Sequence, residues 1–186
     1  MGKHRKNVSI RTPCHDISHD DHFHRMFFNK RYAQASIAFR RAERDREAAI
    51  CDAYLLREKA RLVSTTTSAA RIKAFATAAN AFVTCARDSP PKQVTERLAY
   101  YGAAGECYLE ARDLKNAGDY YRMAEKYSEA ALAYRDAGQF SKMVEVITRY
   151  GDTLDSGLLE RLTMVARMYY FKVQFNGWPI SKYLWI

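Results

Sequence analysis

Four of the five histidines fall in one short run, Cys14-His15-Asp16-Ile17-Ser18-His19-Asp20-Asp21-His22-Phe23-His24. His15, His19 and His22 stand at offsets 0, 4 and 7, a spacing that puts three imidazoles on one helix face, where they would present nitrogen ligands to Zn²⁺. Against this, the run has no H-E-x-x-H spacing, and no second ligand cluster elsewhere in the chain closes a structural site. The run is therefore read as the polar entry to a first helix, and no metal or cofactor is expected. Ser, Cys, His and Asp are all present, but no nucleophile elbow and no paired-carboxylate constellation is recognisable. No catalytic residues are assigned, and no small-molecule substrate is expected.

The densest basic region holds Arg40, Arg41, Arg44 and Arg46, followed by Arg57, Lys59 and Arg61. A groove lined in this way would track a phosphate backbone, and Arg40, Arg41 and Arg44 are the candidate basic contact surface. Glu43, Asp45, Glu47 and Glu58 are interleaved at helical-neighbour spacing, so an ion-paired surface is the expected outcome. The formal net charge is +9, divided as +5 over residues 1–60 and +4 over residues 61–186. An excess spread this evenly is expected of a solvated surface, and nucleic-acid binding is not favoured.

The many tyrosines would suit base stacking, but their spacing assigns them elsewhere. From Cys107 to Glu145 a step of 13 residues brings like onto like. Tyr108, Tyr121 and Tyr134 form one column and Ala111, Ala124 and Ala137 another; Leu114, Tyr127 and Phe140 make a third, and Ala117, Ala130 and Met143 a fourth. On an unbroken helix a step of 13 residues advances about 1300°, which leaves about 220° after three full turns. Equivalent residues would then point to nearly opposite sides. The repeated chemistry makes sense only if the chain turns once per unit, so that each unit is a short helix plus a turn. Tyr127, Ala130, Tyr134 and Ala137, at offsets 0, 3, 7 and 10, supply the buried stripe of one such unit. Gly138 is the expected left-handed cap, with equivalent turns at Arg112-Asp113 and Glu125-Lys126. Gly105 and Gly118 are read as sites of close helix packing. Tyr32, Ala35, Phe39 and Ala42 repeat the same spacing near the start.

The elements that carry these columns are expected as helices near 17–29, 31–43, 45–63, 68–87, 94–112, 114–124, 127–137, 140–150 and 156–172. Ser64-Thr65-Thr66-Thr67-Ser68 reads as a polar linker rich in N-cap residues. Pro90 disfavours helical geometry at Ser89 and ends the helix before it. The fold class is all-α, specifically an α-solenoid of stacked antiparallel helical hairpins. A basic N-terminus, residues 1–16, is expected to be disordered, and residues 17–172 form the helical repeat domain. Residues 173–186 form an irregular tail that ends on apolar residues, as a truncated or mis-spliced fragment would. No stretch reaches the roughly 20 apolar residues of a membrane span. Cys14, Cys51, Cys85 and Cys107 are widely spaced and are read as reduced residues. The expected location is intracellular, cytoplasmic or nuclear.

Several segments together resemble the helical-repeat region of large fungal UvrD-like (superfamily 1) helicase proteins, related to TPR and ankyrin repeat-containing proteins. They are FFNKRYAQASIAFRRAERDREAAICDAYLLREKAR (27–61), AFATAANAFVTCA (74–86), ERLAYYGAAGECYLEA (96–111), EKYSEAALAYRDAGQFSKMVEVI (125–147) and VARMYYFK (165–172). The resemblance covers about residues 22–172 and implies a TPR-like fold within a protein that carries its ATP-dependent helicase core elsewhere. No ATPase residue carries over, because the only Gly-Lys pair is Gly2-Lys3, followed by His4. The ankyrin signature T-P-L-H is absent as well. The resemblance thus implies a non-catalytic protein-interaction scaffold, a fragment of a UvrD-like helicase-type protein. Its partner would be another protein or a neighbouring domain of a larger chain. The alternative is an accessory nucleic-acid-binding arm of a DNA or RNA helicase ATPase.

Overall fold

A computed structural model describes residues 25–63 and 68–175. Among these residues every regular element is a helix, so the protein is all-α. Residues 25–28 are the described part of α1. There follow α2 (Tyr32–Arg41), α3 (Asp45–Leu62), α4 (Ser68–Arg87), α5 (Val94–Glu110), α6 (Leu114–Met123), α7 (Tyr127–Asp136) and α8 (Phe140–Tyr150). A 3-10 turn, Gly151–Thr153, leads to α9 (Ser156–Phe175). From α2 onward these are the helices that periodicity predicts, with ends displaced by at most three residues. The last helix runs on to Phe175, past the residue where the sequence pattern lapses. The basic N-terminus, the histidine run, most of the Ser64–Ser68 linker and residues 176–186 lie outside the described residues.

The displaced ends have a common cause in the turns. Lys30, Glu43, Arg112, Glu125 and Gly138 adopt φ of 58°, 56°, 61°, 60° and 68°. Each lies one residue past a helix cap and one residue before the N-cap of the next helix. The same pair of backbone bonds closes each turn. Between α5 and α6 the Asp113 N–H donates to the Tyr108 carbonyl at 2.9 Å and the Arg112 N–H to Leu109 at 3.1 Å. Between α6 and α7, Lys126 donates to Tyr121 at 2.9 Å and Glu125 to Arg122 at 3.1 Å. Between α7 and α8, Gln139 donates to Tyr134 at 2.8 Å and Gly138 to Arg135 at 3.0 Å. The two earliest turns repeat it, with Arg44 donating to Phe39 and Arg31 to Met26, each at 2.9 Å. A ten-residue helix, as in α6 and α7, plus a cap, a left-handed residue and an N-cap makes the 13-residue period.

Substantial contacts join helices that are consecutive in the chain, α2 with α3 through to α8 with α9. One continuous core cluster runs from Ala53 in α3 to Ala166 in α9, and a smaller one groups Ala35, Phe39, Ala48 and Cys51. Close approach is achieved at two glycines. A Cβ at Gly105 would stand 2.7 Å from the Tyr121 ring, and one at Gly118 would stand 2.7 Å from the Tyr134 ring. Gly105 and Gly118 are therefore seats for aromatic rings of the following helix, each ring lying 16 residues further on.

Candidate contact surface and the repeat core

The tyrosine column is buried. Tyr108 and Tyr121 are almost inaccessible and Tyr134 entirely so. Ala111, Ala124 and Ala130 are buried with them, whereas Leu114, Tyr127, Ala137 and Phe140 are half-buried. The difference is positional: Leu114, Tyr127 and Phe140 are each the first residue of a helix, at the rim where the turn opens to solvent.

Buried tyrosines need a partner for the hydroxyl. The Tyr134 hydroxyl donates to Asp119 at 2.7 Å, and Lys142 Nζ donates to the same carboxylate at 2.5 Å. Burial pushes the Asp119 carboxyl up, but these two hydrogen bonds and the charge of Lys142 outweigh it and leave the group below the usual aspartate range. The Tyr108 hydroxyl donates to Asn80 at 2.6 Å, joining α5 to α4. Half-buried rings stack at the margins, Tyr127 on Tyr150 with centroids 3.8 Å apart and Tyr120 on the buried Tyr108 at 5.2 Å. The rings on which a base-stacking surface would depend are thus mostly spent on one another or on the core.

The basic region is equally committed. Arg40 pairs with Asp52, which also accepts from the Ser36 hydroxyl at 2.6 Å. Arg44 holds Glu47 at 2.8 Å and lies 5.0 Å over the Phe39 ring. Arg41 is exposed in the last turn of α2. Arg46 reaches from α3 to Glu96 of α5 at 3.0 Å, and Arg57 reaches from α3 to Glu106 of α5 at 3.7 Å. Arg71 of α4 pairs with Glu110 at 2.7 Å. Apart from the local Arg44–Glu47 pair, these pairs bridge helices one and two places apart, so the arginines brace the array more than they form a free cationic face. The Arg57 guanidinium also lies 4.8 Å over Tyr54 and 5.5 Å over Phe82.

Two recesses flank the ion pairs. One of about 290 Å³ is walled by Phe39, Arg46, Ile50, Gln93, Glu96 and Tyr100 among others. The other, of about 360 Å³, lies among Arg57, Arg61, Arg71, Glu106, Glu110 and Tyr121. Both carry mixed charge, and each also touches a cysteine beside glutamates, Cys51 with Glu47 and Glu96 in the first and Cys107 with Glu106 and Glu110 in the second. Cys51, Cys85 and Cys107 are free and buried. Burial pushes the first two thiols up to about 11 and Cys107 up to about 12, which keeps them protonated and unreactive near neutral pH.

Sequence reasoning missed the exposed apolar stripe on α9. Its buried face is Leu158, Leu162 and Ala166, yet Met164 and Met168 are 60% and 68% exposed on the opposite side, with Phe171 next along the same stripe. The signal is a second apolar spacing on a helix whose other face is buried. No described helix is long and apolar enough to cross a membrane. No family model, curated protein or solved structure matches this chain.

Proposed function

We propose that the chain is a non-catalytic protein-interaction scaffold, an α-solenoid of stacked antiparallel helical hairpins that belongs to a larger, intracellular UvrD-like helicase-type protein. The observation that carries this reading is the recurring turn. Five left-handed residues, three of them spaced 13 apart at Arg112, Glu125 and Gly138, join helices that pack on their sequence neighbours. Local units stacked in this way build an extended surface rather than a closed active-site cleft. Ion pairs that skip one helix, Arg46 to Glu96 and Arg57 to Glu106, support a layered stack in which α3 and α5 lie side by side.

The alternative, a nucleic-acid-binding arm of a helicase ATPase, draws on the +9 charge. The pairing of Arg40, Arg44, Arg46, Arg57 and Arg71 with carboxylates counts against it. Two measurements test the assignment. Immunoblotting of the source cells with an antibody to residues 96–150 is expected to show a band well above 21.4 kDa. A band at that mass would mean that the array acts alone. Titration of a labelled single strand at low salt is expected to show no binding. Binding that weakens steeply as salt rises would replace the scaffold with the nucleic-acid arm.

A further inference from the structure

We propose that the recess walled by α3, α4, α5 and α6 binds a single carboxylate, the side chain of an acidic residue on the protein that the array holds. The inference rests on the scaffold reading and names the chemistry that its partner presents.

The first observation is an arginine short of acceptors. Arg57 lines this recess, and its side chain is only 16% exposed. The Tyr54 and Phe82 rings hold its guanidinium, with centroids 4.8 and 5.5 Å away. A guanidinium carries five N–H donors. Here Nε is buried without a partner, and the Glu106 carboxylate stands 3.7 Å from Nη1. That separation sustains attraction between charges but no hydrogen bond. Arg57 therefore donates to none of the described residues, although buried donors are ordinarily satisfied.

The second observation is the middle tyrosine of the column. Tyr108 donates its hydroxyl to Asn80 and Tyr134 donates to Asp119. The Tyr121 hydroxyl has no such partner among the described residues, and Tyr121 lines the same recess as Arg57. A guanidinium fork and a phenol that both lack an acceptor, on the walls of one cavity of about 360 Å³, suit an oxyanion.

Charge selects which oxyanion. Glu58, Glu106 and Glu110 answer Arg61, Lys126 and Arg71 at 2.8, 3.4 and 2.7 Å. The positive charge of Arg57 is left in excess. A carboxylate supplies one negative charge and matches the fork with two parallel hydrogen bonds. A phosphate monoester would bring a second charge beside Glu106 and Glu110, and a nucleic acid would bring a row of them.

The Nε–H resonance of Arg57, identified by its loss in Arg57→Lys, reports on the site. Titration of the full chain with the blocked tripeptide acetyl-Ala-Glu-Ala-amide at millimolar concentrations is expected to shift that resonance saturably. The uncharged acetyl-Ala-Gln-Ala-amide is expected to leave it in place. Tyr121→Phe is expected to weaken the binding about tenfold, the worth of one hydrogen bond to a charged group. Its melting temperature is expected to stay unchanged, because the hydroxyl has no partner to lose. No saturable shift with the glutamate peptide, or an equal one with the glutamine peptide, would overturn the carboxylate site and leave the scaffold reading standing. A binding curve unmoved by Tyr121→Phe would overturn it as well. A shift produced by a short oligothymidylate in place of the peptide would overturn both, since a phosphate backbone would then be the ligand.

Discussion

A buried tyrosine is only as stable as its hydroxyl's partner, and Tyr134 draws its partner from a different helix. Replacing Asp119 by Ala leaves that hydroxyl, on a fully buried side chain, without the carboxylate that accepts from it at 2.7 Å. The expected loss is about 1–3 kcal/mol, read by chemical denaturation. The pH dependence has a definite sign. Because the folded carboxyl titrates below its ordinary range, its contribution is present above about pH 4 and is lost as pH falls through the folded value. The stability gap between the native protein and Asp119→Asn is therefore expected to shrink on acidification. Gly118 argues the same site from the other side. An added methyl would meet the Tyr134 ring at 2.7 Å, and the hydroxyl bond keeps that ring from swinging aside. Gly118→Ala is expected to cost about 1–3 kcal/mol through overpacking. Gly102→Ala is the contrasting case, because there the new methyl meets only the flexible end of Lys126 at 3.2 Å. It is expected to be neutral or slightly stabilising, since alanine is the better helix former. The tyrosine column was legible in the sequence because its period exposes it. Its hydrogen-bond partner was not, because Asp119 stands 15 residues away at a position no column marks.

At the scale of the element, the recurring turn does the organising. Arg112 and Glu125 hold left-handed backbone that ordinary side chains enter at a cost of about 1–2 kcal/mol. The two bonds that close each turn recover that cost. Glu125→Gly is expected to raise stability by up to about 1 kcal/mol, and Gly138→Ala to lower it by a similar amount, in paired thermal melts. Helix positions were readable from the apolar stripes, so their ends came out within a few residues. Residue type announced the left-handed position only at Gly138, while the 13-residue period placed the turns at Arg112-Asp113 and Glu125-Lys126. Lys30, Glu43, Arg112 and Glu125 carry no local signature, because tertiary packing and the paired carbonyl bonds, not residue preference, hold them there. The outward stripe of α9 escaped for a related reason: Leu158, Leu162 and Ala166 already supply the buried spacing that defines the helix, and exposed Met164 and Met168 add nothing to that signal.

At the scale of the whole molecule, packing that runs from each helix to the next makes damage travel along the chain. Ala130 is fully buried in α7, inside the continuous cluster that joins α3 to α9. Ala35 is as deeply buried, but in the small cluster of α2 and the start of α3. An aspartate at either position places an unpaired charge in a dry contact, an insult beyond several kcal/mol before the structure gives way. The consequences should differ. Ala130→Asp is expected to abolish cooperative melting, because it severs the cluster between consecutive helices that rely on one another for their burial. Ala35→Asp is expected to leave the main transition in place and to release only the amides of α2 and the first turns of α3 to rapid hydrogen exchange. Exchange read by mass spectrometry on both variants decides the matter. Loss of protection across all helices in Ala35→Asp would mean that the two clusters fold as one unit, and that stability is shared over the array rather than built between adjacent helices.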